Sequence, residues 1–261
     1  MELKVIAKIF TPMKEKFGLP RQSGLAAGLK GRIVFEKEYS CKEALEGLEE
    51  FEYLWVLWGF DEVIERGENS FRPQVRPPRL GGNEYRGVFA TRSPYRPNPI
   101  GLSCVKLEGI EMTQDGPVII VSGVDMRDGT PVYDIKPYLP YAEAHPDARG
   151  GFTDTTKGRK LKVVWDAVKG GLRKSDEGVS GAENAGSDEG ASDLKIPEGF
   201  TDEDMRTVSE ILAQDPRPAY HDDPERVYGM SYKDYNVRFN VSGDTAHVTG
   251  IDPTVDLAQI I

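Results

Sequence analysis

Apolar residues in this chain come in short alternating runs, and few recur at helical spacing. Leu3, Val5, Ala7 and Ile9 share one face of an extended segment, and Ile33 and Phe35 point inward in a second strand over residues 31–39. The run Leu54-Trp55-Val56-Leu57-Trp58-Gly59-Phe60 is apolar and β-rich, and short enough to be a buried strand. Further strands are predicted near 87–91, 102–110 and 118–124, joined by turns such as Gln114-Asp115-Gly116 and Arg127-Asp128-Gly129. One short helix is expected after Ser40, which has Glu43 in place for a capping box and Ala44, Leu45, Leu48 and Phe51 as its apolar stripe. Many short strands without a repeating strand–helix–strand unit predict a mainly β chain, an antiparallel barrel or sandwich.

Residues 170–193 break the pattern. Six glycines, four serines and six acids fill 16 of these 24 positions, and none is aromatic. Such a segment buries too little apolar surface to offset its ordering entropy, which predicts a flexible acidic linker over 170–195. The linker separates a barrel domain, residues 1–169, from a small α+β domain, residues 196–261. In the latter, Thr201 caps a helix with Met205, Val208, Ile211 and Leu212 on one face, and strands follow near 236–241 and 246–251.

Charge is distributed unevenly. The chain of 261 residues has a net charge of −10, yet between residues 71 and 106 Arg72, Arg76, Arg79, Arg86, Arg92, Arg96 and Lys106 face a single acid, Glu84. A local basic stretch can bind a polyanion despite a negative total, because salt screens distant charges. Cys41 and Cys104 have no Cys-x-x-Cys partner, and His145, His221 and His247 are scattered, which argues against a disulfide framework, a zinc site or a Cys–His nucleophile. No metal is expected. Neither a signal peptide nor an apolar run near 18 residues is present, so a cytoplasmic protein without a membrane partner is predicted. There is no Gly-x-Gly-x-x-Gly opening a helix and no Walker pattern.

Residues 90–101, Ala-Thr-Arg-Ser-Pro-Tyr-Arg-Pro-Asn-Pro-Ile-Gly, hold three prolines in six positions. Proline fixes φ and biases its neighbours toward extended backbone, so Arg92, Arg96 and Asn98 are carried on a stiff loop. Arginine suits carboxylates and phosphates, and asparagine can read a donor–acceptor pair such as an adenine edge. Asp215-Pro216-Arg217-Pro218-Ala219-Tyr220 repeats the device with a base-stacking side chain, Tyr220. Ser93-Pro94-Tyr95 lacks the second proline of the Asp/Asn-Pro-Pro-Tyr box that marks one class of adenine methyltransferases.

These stretches resemble the TsaA-like (TrmO-type) tRNA methyltransferases. The likeness rests on Ala90–Gly101, Asp128–Pro140, Asp215–Tyr220 with Asn236–Phe239, Pro20-Arg21-Gln22 and Arg76–Asn83, in order, across nearly the whole chain outside 165–200. It implies a β-barrel that holds S-adenosylmethionine and a homodimer that acts on the anticodon stem-loop of tRNA. The implied reaction is methylation of N6 of threonylcarbamoyl-adenosine at position 37. It further implies a cofactor pocket of Gln22, Ser23, Gly24, Phe60, Asp61, Arg92, Leu102, Asp128, Gly129, Thr130 and Pro131. Asp61 and Ser23 stand where many relatives have His and Pro, changes that a backbone contact would survive. Arg76, Arg79, Arg96, Asn98, Arg217 and Tyr220 are the expected substrate contacts. Arg92, Asn98, Asp134, Asp215 and Tyr220 are the catalytic candidates, with Asp134 or Asp215 as proton acceptor. Two other readings stay open: a non-enzymatic module for a nucleotide-like ligand, which has no need of the arginines, and an RNA-binding barrel, which has no need of a cofactor pocket.

Overall fold

The computed structural model describes residues 2–60, 71–156, 160–165, 194–217 and 223–254. Its larger part is a closed barrel of six strands, β1 (Ala7–Phe10), β2 (Lys30–Phe35), β3 (Tyr53–Gly59), β6 (Ile100–Thr113), β7 (Gly116–Ser122) and β8 (Thr130–Pro137). They run in the order β1-β2-β7-β6-β3-β8, every pair is antiparallel, and β8 closes on β1. Closure leaves no unpaired edge. A ribbon of two short strands, β4 (Gln74–Val75) and β5 (Arg86–Gly87), stands apart.

Alternation determines what fills the barrel. Leu54, Val56 and Trp58 of β3 point inward to meet Ile9, Ile33, Val105, Ile119 and Val132, while Trp55 and Leu57 face outward. The pleat therefore divides the apolar run 54–60 between the two faces of one strand. A bulge between Leu57 and Trp58 leaves Tyr133 of β8 unmatched. The Tyr133 hydroxyl lies 2.3 Å from where a Cβ of Gly59 would sit, so any larger residue there must displace the tyrosine ring.

The second layer is a four-stranded sheet in the order β10-β11-β12-β9, made of β9 (Lys162–Trp165), β10 (Tyr228–Tyr232), β11 (Tyr235–Ser242) and β12 (Thr245–Pro253). Helix α1 (Asp202–Leu212) packs on it and reaches the barrel. Its Glu210 carboxylate accepts the Gly28 N–H at 2.8 Å, and Lys30 pairs with Glu203 at 2.6 Å. Phe17 of the barrel loops stacks on Tyr228 and Phe239, and one apolar cluster runs through both parts.

Four expectations need correction, the first being the strand near 87–91, where the two-residue β5 gives way to a 3-10 turn, Val88–Ala90. β9, inside the span 1–169 assigned to the barrel domain, pairs in parallel with β12 and so belongs to the second sheet. Leu3 and Val5 are exposed, and the first strand begins only at Ala7. The helix expected after Ser40 is two 3-10 turns, Lys42–Leu45 and Leu48–Glu50, with no side-chain cap. The Ser40 hydroxyl instead donates to the Asp115 carbonyl across the barrel end, and Gly47 at φ 82° interrupts the run. Of the predicted linker over 170–195, residues 170–193 lie outside the described residues, and Leu194 is buried in the apolar cluster rather than part of a flexible segment.

Candidate active site

A cleft of about 2240 Å³ opens between one end of the barrel, the β4–β5 ribbon, the proline-rich loop and the C-terminal end of α1. Its charge is strongly one-sided. Among the described residues Lys16, Arg21, Arg72, Arg76, Arg86, Arg92, Arg96 and Arg127 line it, against two carboxylates, Asp125 and Glu84. A protein of net charge −10 has gathered eight cationic side chains around one cavity.

The proline-rich loop forms one wall and is fixed by its own polar groups. Arg96 donates to the carbonyls of Thr91 at 2.7 Å and Val88 at 3.1 Å, and lies over the Phe89 ring. Its fork holds the turn 88–91, which explains an arginine here without a substrate. Arg72 stacks 4.1 Å over Tyr95, and Arg76 stacks 4.5 Å over Tyr85. Such cation–π contacts pre-orient guanidinium groups without neutralising them. The Phe60 N–H donates to the Pro99 carbonyl at 2.9 Å and ties the loop to the end of β3.

The floor is the open end of the barrel. Trp58 and Phe60 place their rings 4.4 Å apart. The Trp58 indole N–H donates to Ser103 Oγ at 2.9 Å, and the Ser103 hydroxyl donates to Asp125 Oδ1 at 2.6 Å. Indole nitrogen can only donate, so the direction of this chain is unambiguous. Burial pushes the Asp125 carboxyl above the ordinary carboxylate value, against the Ser103 hydroxyl, the N–H groups of Asp125 and Ser23, and the Arg92 charge. The Gly24 N–H bonds the Gly123 carbonyl at 2.8 Å, which joins the segment 22–24 to the segment 123–125. Arg92 reaches across from the loop and donates to Gln22 Oε1.

Of the residues expected at the site, the cleft therefore gathers Gln22, Phe60, Arg76, Arg92, Arg96, Leu102 and Thr130. Ser23 and Gly24 stand directly behind its floor. Asp128 does not line it: its carboxylate accepts the Thr11 N–H at 2.9 Å, and Gly129 at φ 78° turns the chain into β8 with Pro131 paired opposite Lys8. Asn98 is exposed and outside the lining.

The two carboxylates expected to accept a proton are both placed elsewhere. Asp134 sits opposite the outward-facing Leu57 and pairs with Lys136 at 3.1 Å on the outside of the barrel. Asp215 takes φ 48° and binds Arg217 through both oxygens, at 2.8 and 2.9 Å, so each neutralises the other. Asp61 and Tyr220 lie outside the described residues, and Arg79 falls on the 3-10 turn Pro78–Leu80. Trp58, Ser103 and Asp125 are the site residues that sequence reasoning passed over. Their only signal was an acid placed directly after the apolar run 118–124.

Among the described residues, no cluster of His, Cys, Asp and Glu could hold a metal ion, and no helix is long and apolar enough to cross a membrane.

Comparison with known proteins places this architecture. Residues 8–144 match the tRNA-methyltransferase O N-terminal domain, and residues 189–254 match the C-terminal domain of the same family. The tRNA (adenine(37)-N6)-methyltransferase of Escherichia coli K12 is 37% identical over 254 residues, which is 97% of this chain and 98% of that protein. The enzyme of the same name from Eikenella corrodens is 43% identical over 201 residues, 77% of this chain and 97% of that one. A crystal structure of TrmO superposes with a TM-score of 0.68 at 30% identity, covering 97% of this chain and 99% of that one. A barrel with an arginine-lined cleft at its end, matched along its length in sequence and in structure, makes this chain a member of the tRNA-methyltransferase O family.

Proposed function

We propose that this protein is a tRNA methyltransferase that uses S-adenosylmethionine to methylate N6 of adenosine 37, already carrying a threonylcarbamoyl group, in the anticodon stem-loop. The observation that carries this reading is the cleft itself, whose eight cationic side chains among the described residues surround a floor holding a half-buried carboxylate and an aromatic pair. The cationic rim suits an RNA backbone, because neutralising phosphates releases counterions. The floor suits the cofactor in the chemistry of its donor set. The Trp58–Phe60 rings favour a cationic centre, the Arg92 fork favours a carboxylate, and Gln22 offers amide groups to a nucleoside.

When bound, S-adenosylmethionine supplies an electrophilic methyl group on a sulfonium. The chain's own residues do the rest. Gln22 and Arg92 fix each other's side chains and bind the polar parts of the ligands. Trp58 and Phe60 exclude water from the floor, and Arg72 and Arg76 meet the phosphates. Positioning of this kind supplies much of the rate for a weakly nucleophilic nitrogen. The substrate-side roles of Asn98, Arg217 and Tyr220, the cofactor-side role of Asp61, a homodimeric assembly and a cytoplasmic location belong to the same proposal.

Nucleoside mass spectrometry of tRNA from a deletion strain, before and after incubation with the purified protein and cofactor, tests it. The expected product is a methyl group added to threonylcarbamoyl-adenosine; methylation of another nucleoside, or none, would refute it. Binding of tRNA should weaken steeply with salt, and Arg76→Ala should lower that slope by about one unit without changing which tRNA is preferred. Arg92→Ala should weaken cofactor binding in calorimetry by about tenfold, the loss of one charge-assisted contact.

A further inference from the structure

Methylation of N6 releases a proton, and the cleft offers few groups to take it. Among the described residues its lining holds two carboxylates, and Glu84 is held by Arg86 at 2.8 Å on the exposed ribbon. Asp134 and Asp215, as described above, are each paired with a cation. Asp125 is different in kind. It lies on the cleft floor at the barrel's end, its Oδ1 accepts the Ser103 hydroxyl, and Ser103 is itself fixed by the Trp58 indole. We propose that Asp125 is the general base of the reaction, oriented by Ser103 and Trp58 and accepting the N6 proton as the methyl group is transferred. This rests on the methyltransferase reading above.

The step balances. The bond from N6 to the methyl carbon forms as the carbon–sulfur bond breaks and leaves its electron pair on sulfur, and the N6–H proton passes to the carboxylate, becoming neutral Asp125. The Ser103 hydroxyl and the N–H groups of Ser23 and Asp125 hold the carboxylate in place, and the proton passes to a remaining lone pair of its oxygens. Burial makes this carboxylate a stronger base than an ordinary aspartate. The charged groups around it do not compete for the proton. Arg92 from the proline-rich loop, Arg21 from the loop after β1, and Arg127 beyond β7 are all cations lining the same cleft. The Arg92 charge lowers its proton affinity, against the effect of burial.

The test uses the whole chain, tRNA from a deletion strain that carries the threonylcarbamoyl group but not the methyl, and Asp125→Asn. Single-turnover methylation should fall at least about 100-fold, the usual contribution of a positioned base. Affinities for tRNA, S-adenosylmethionine and S-adenosylhomocysteine, measured by calorimetry, should be unchanged. The acid limb of the wild-type pH–rate profile should vanish. A near-wild-type rate would overturn the proposal. So would a loss of affinity for S-adenosylmethionine that spares the uncharged homocysteine product, because Asp125 would then serve as counter-ion to the sulfonium. If Asp125→Asn does not fold, Ser103→Ala decides. Losing that hydrogen bond to the ionised form must raise the proton affinity of Asp125, so the acid limb should move to higher pH; an unmoved limb would refute the assignment. Failure of the wild-type protein to methylate tRNA would refute the broader reading instead.

Discussion

Asp204 shows how much one side chain can organise. It is 3% exposed, and its carboxylate completes a capping box: the Thr201 hydroxyl accepts the Asp204 N–H at 3.2 Å, and Asp204 Oδ2 accepts the Thr201 N–H at 3.0 Å. Oδ1 takes the Tyr232 hydroxyl at 3.0 Å and Lys233 Nζ at 2.6 Å, so the helix start is bolted to the β10–β11 turn. Burial opposes ionisation, but Lys233, Thr201 and Tyr232 outweigh it and hold the carboxyl below its ordinary value. A depressed acid contributes stability above its unfolded value, near pH 3.9, and loses it as pH falls through the folded value. Asp204→Asn should therefore cost on the order of 1–3 kcal/mol at neutral pH. The gap between the urea midpoints of variant and wild type should close in acid; a gap independent of pH would show that the ionised form carries no stability. Thr201 was legible as a cap because the pattern is local. Lys233 and Tyr232 were not, because their partner is 28 residues or more away in the chain.

At the scale of elements, β3 and β6 build the cleft floor from a size match. Gly101 of β6 pairs with Trp58 of β3, and a Cβ at 101 would lie 2.2 Å from the indole ring. Gly101→Ala must push the ring from its seat and break its bond to Ser103. Overpacking of this kind costs about 1–3 kcal/mol, to be read from urea unfolding, and the change should weaken cofactor binding as well. Unchanged stability with unchanged cofactor affinity would mean that the indole has no part in the floor. Strands such as 54–60 and 118–124 were readable from the sequence because alternation and β-propensity act within a few residues. The turn after Ser40 misled, since Ser40 offers its hydroxyl equally to a helix N-terminus and to a distant carbonyl, and packing chose Asp115.

Over the whole molecule, barrel and second sheet share one apolar cluster and are locked by α1. Unfolding should be a single cooperative transition. Glu210→Ala leaves the Gly28 N–H without its partner and should lower that transition by about 1–3 kcal/mol without splitting it. Two separable melting steps in wild type would show that the parts are independent. The mainly β class, the individual strands and the basic stretch followed from the sequence, because each depends on neighbouring residues, whereas barrel rather than sandwich came from the resemblance. The arginines of the proline-rich loop were recognised for the same reason. Only tertiary structure decided which of them serve the loop itself, as Arg96 does, and which acids face the cleft. Asp125 meets Ser103 and Trp58 from other strands, and Asp134 is turned outward by the pleat of β8. The bond that selects each side chain's role comes from residues far off in the chain, and barrel closure alone brings them within reach.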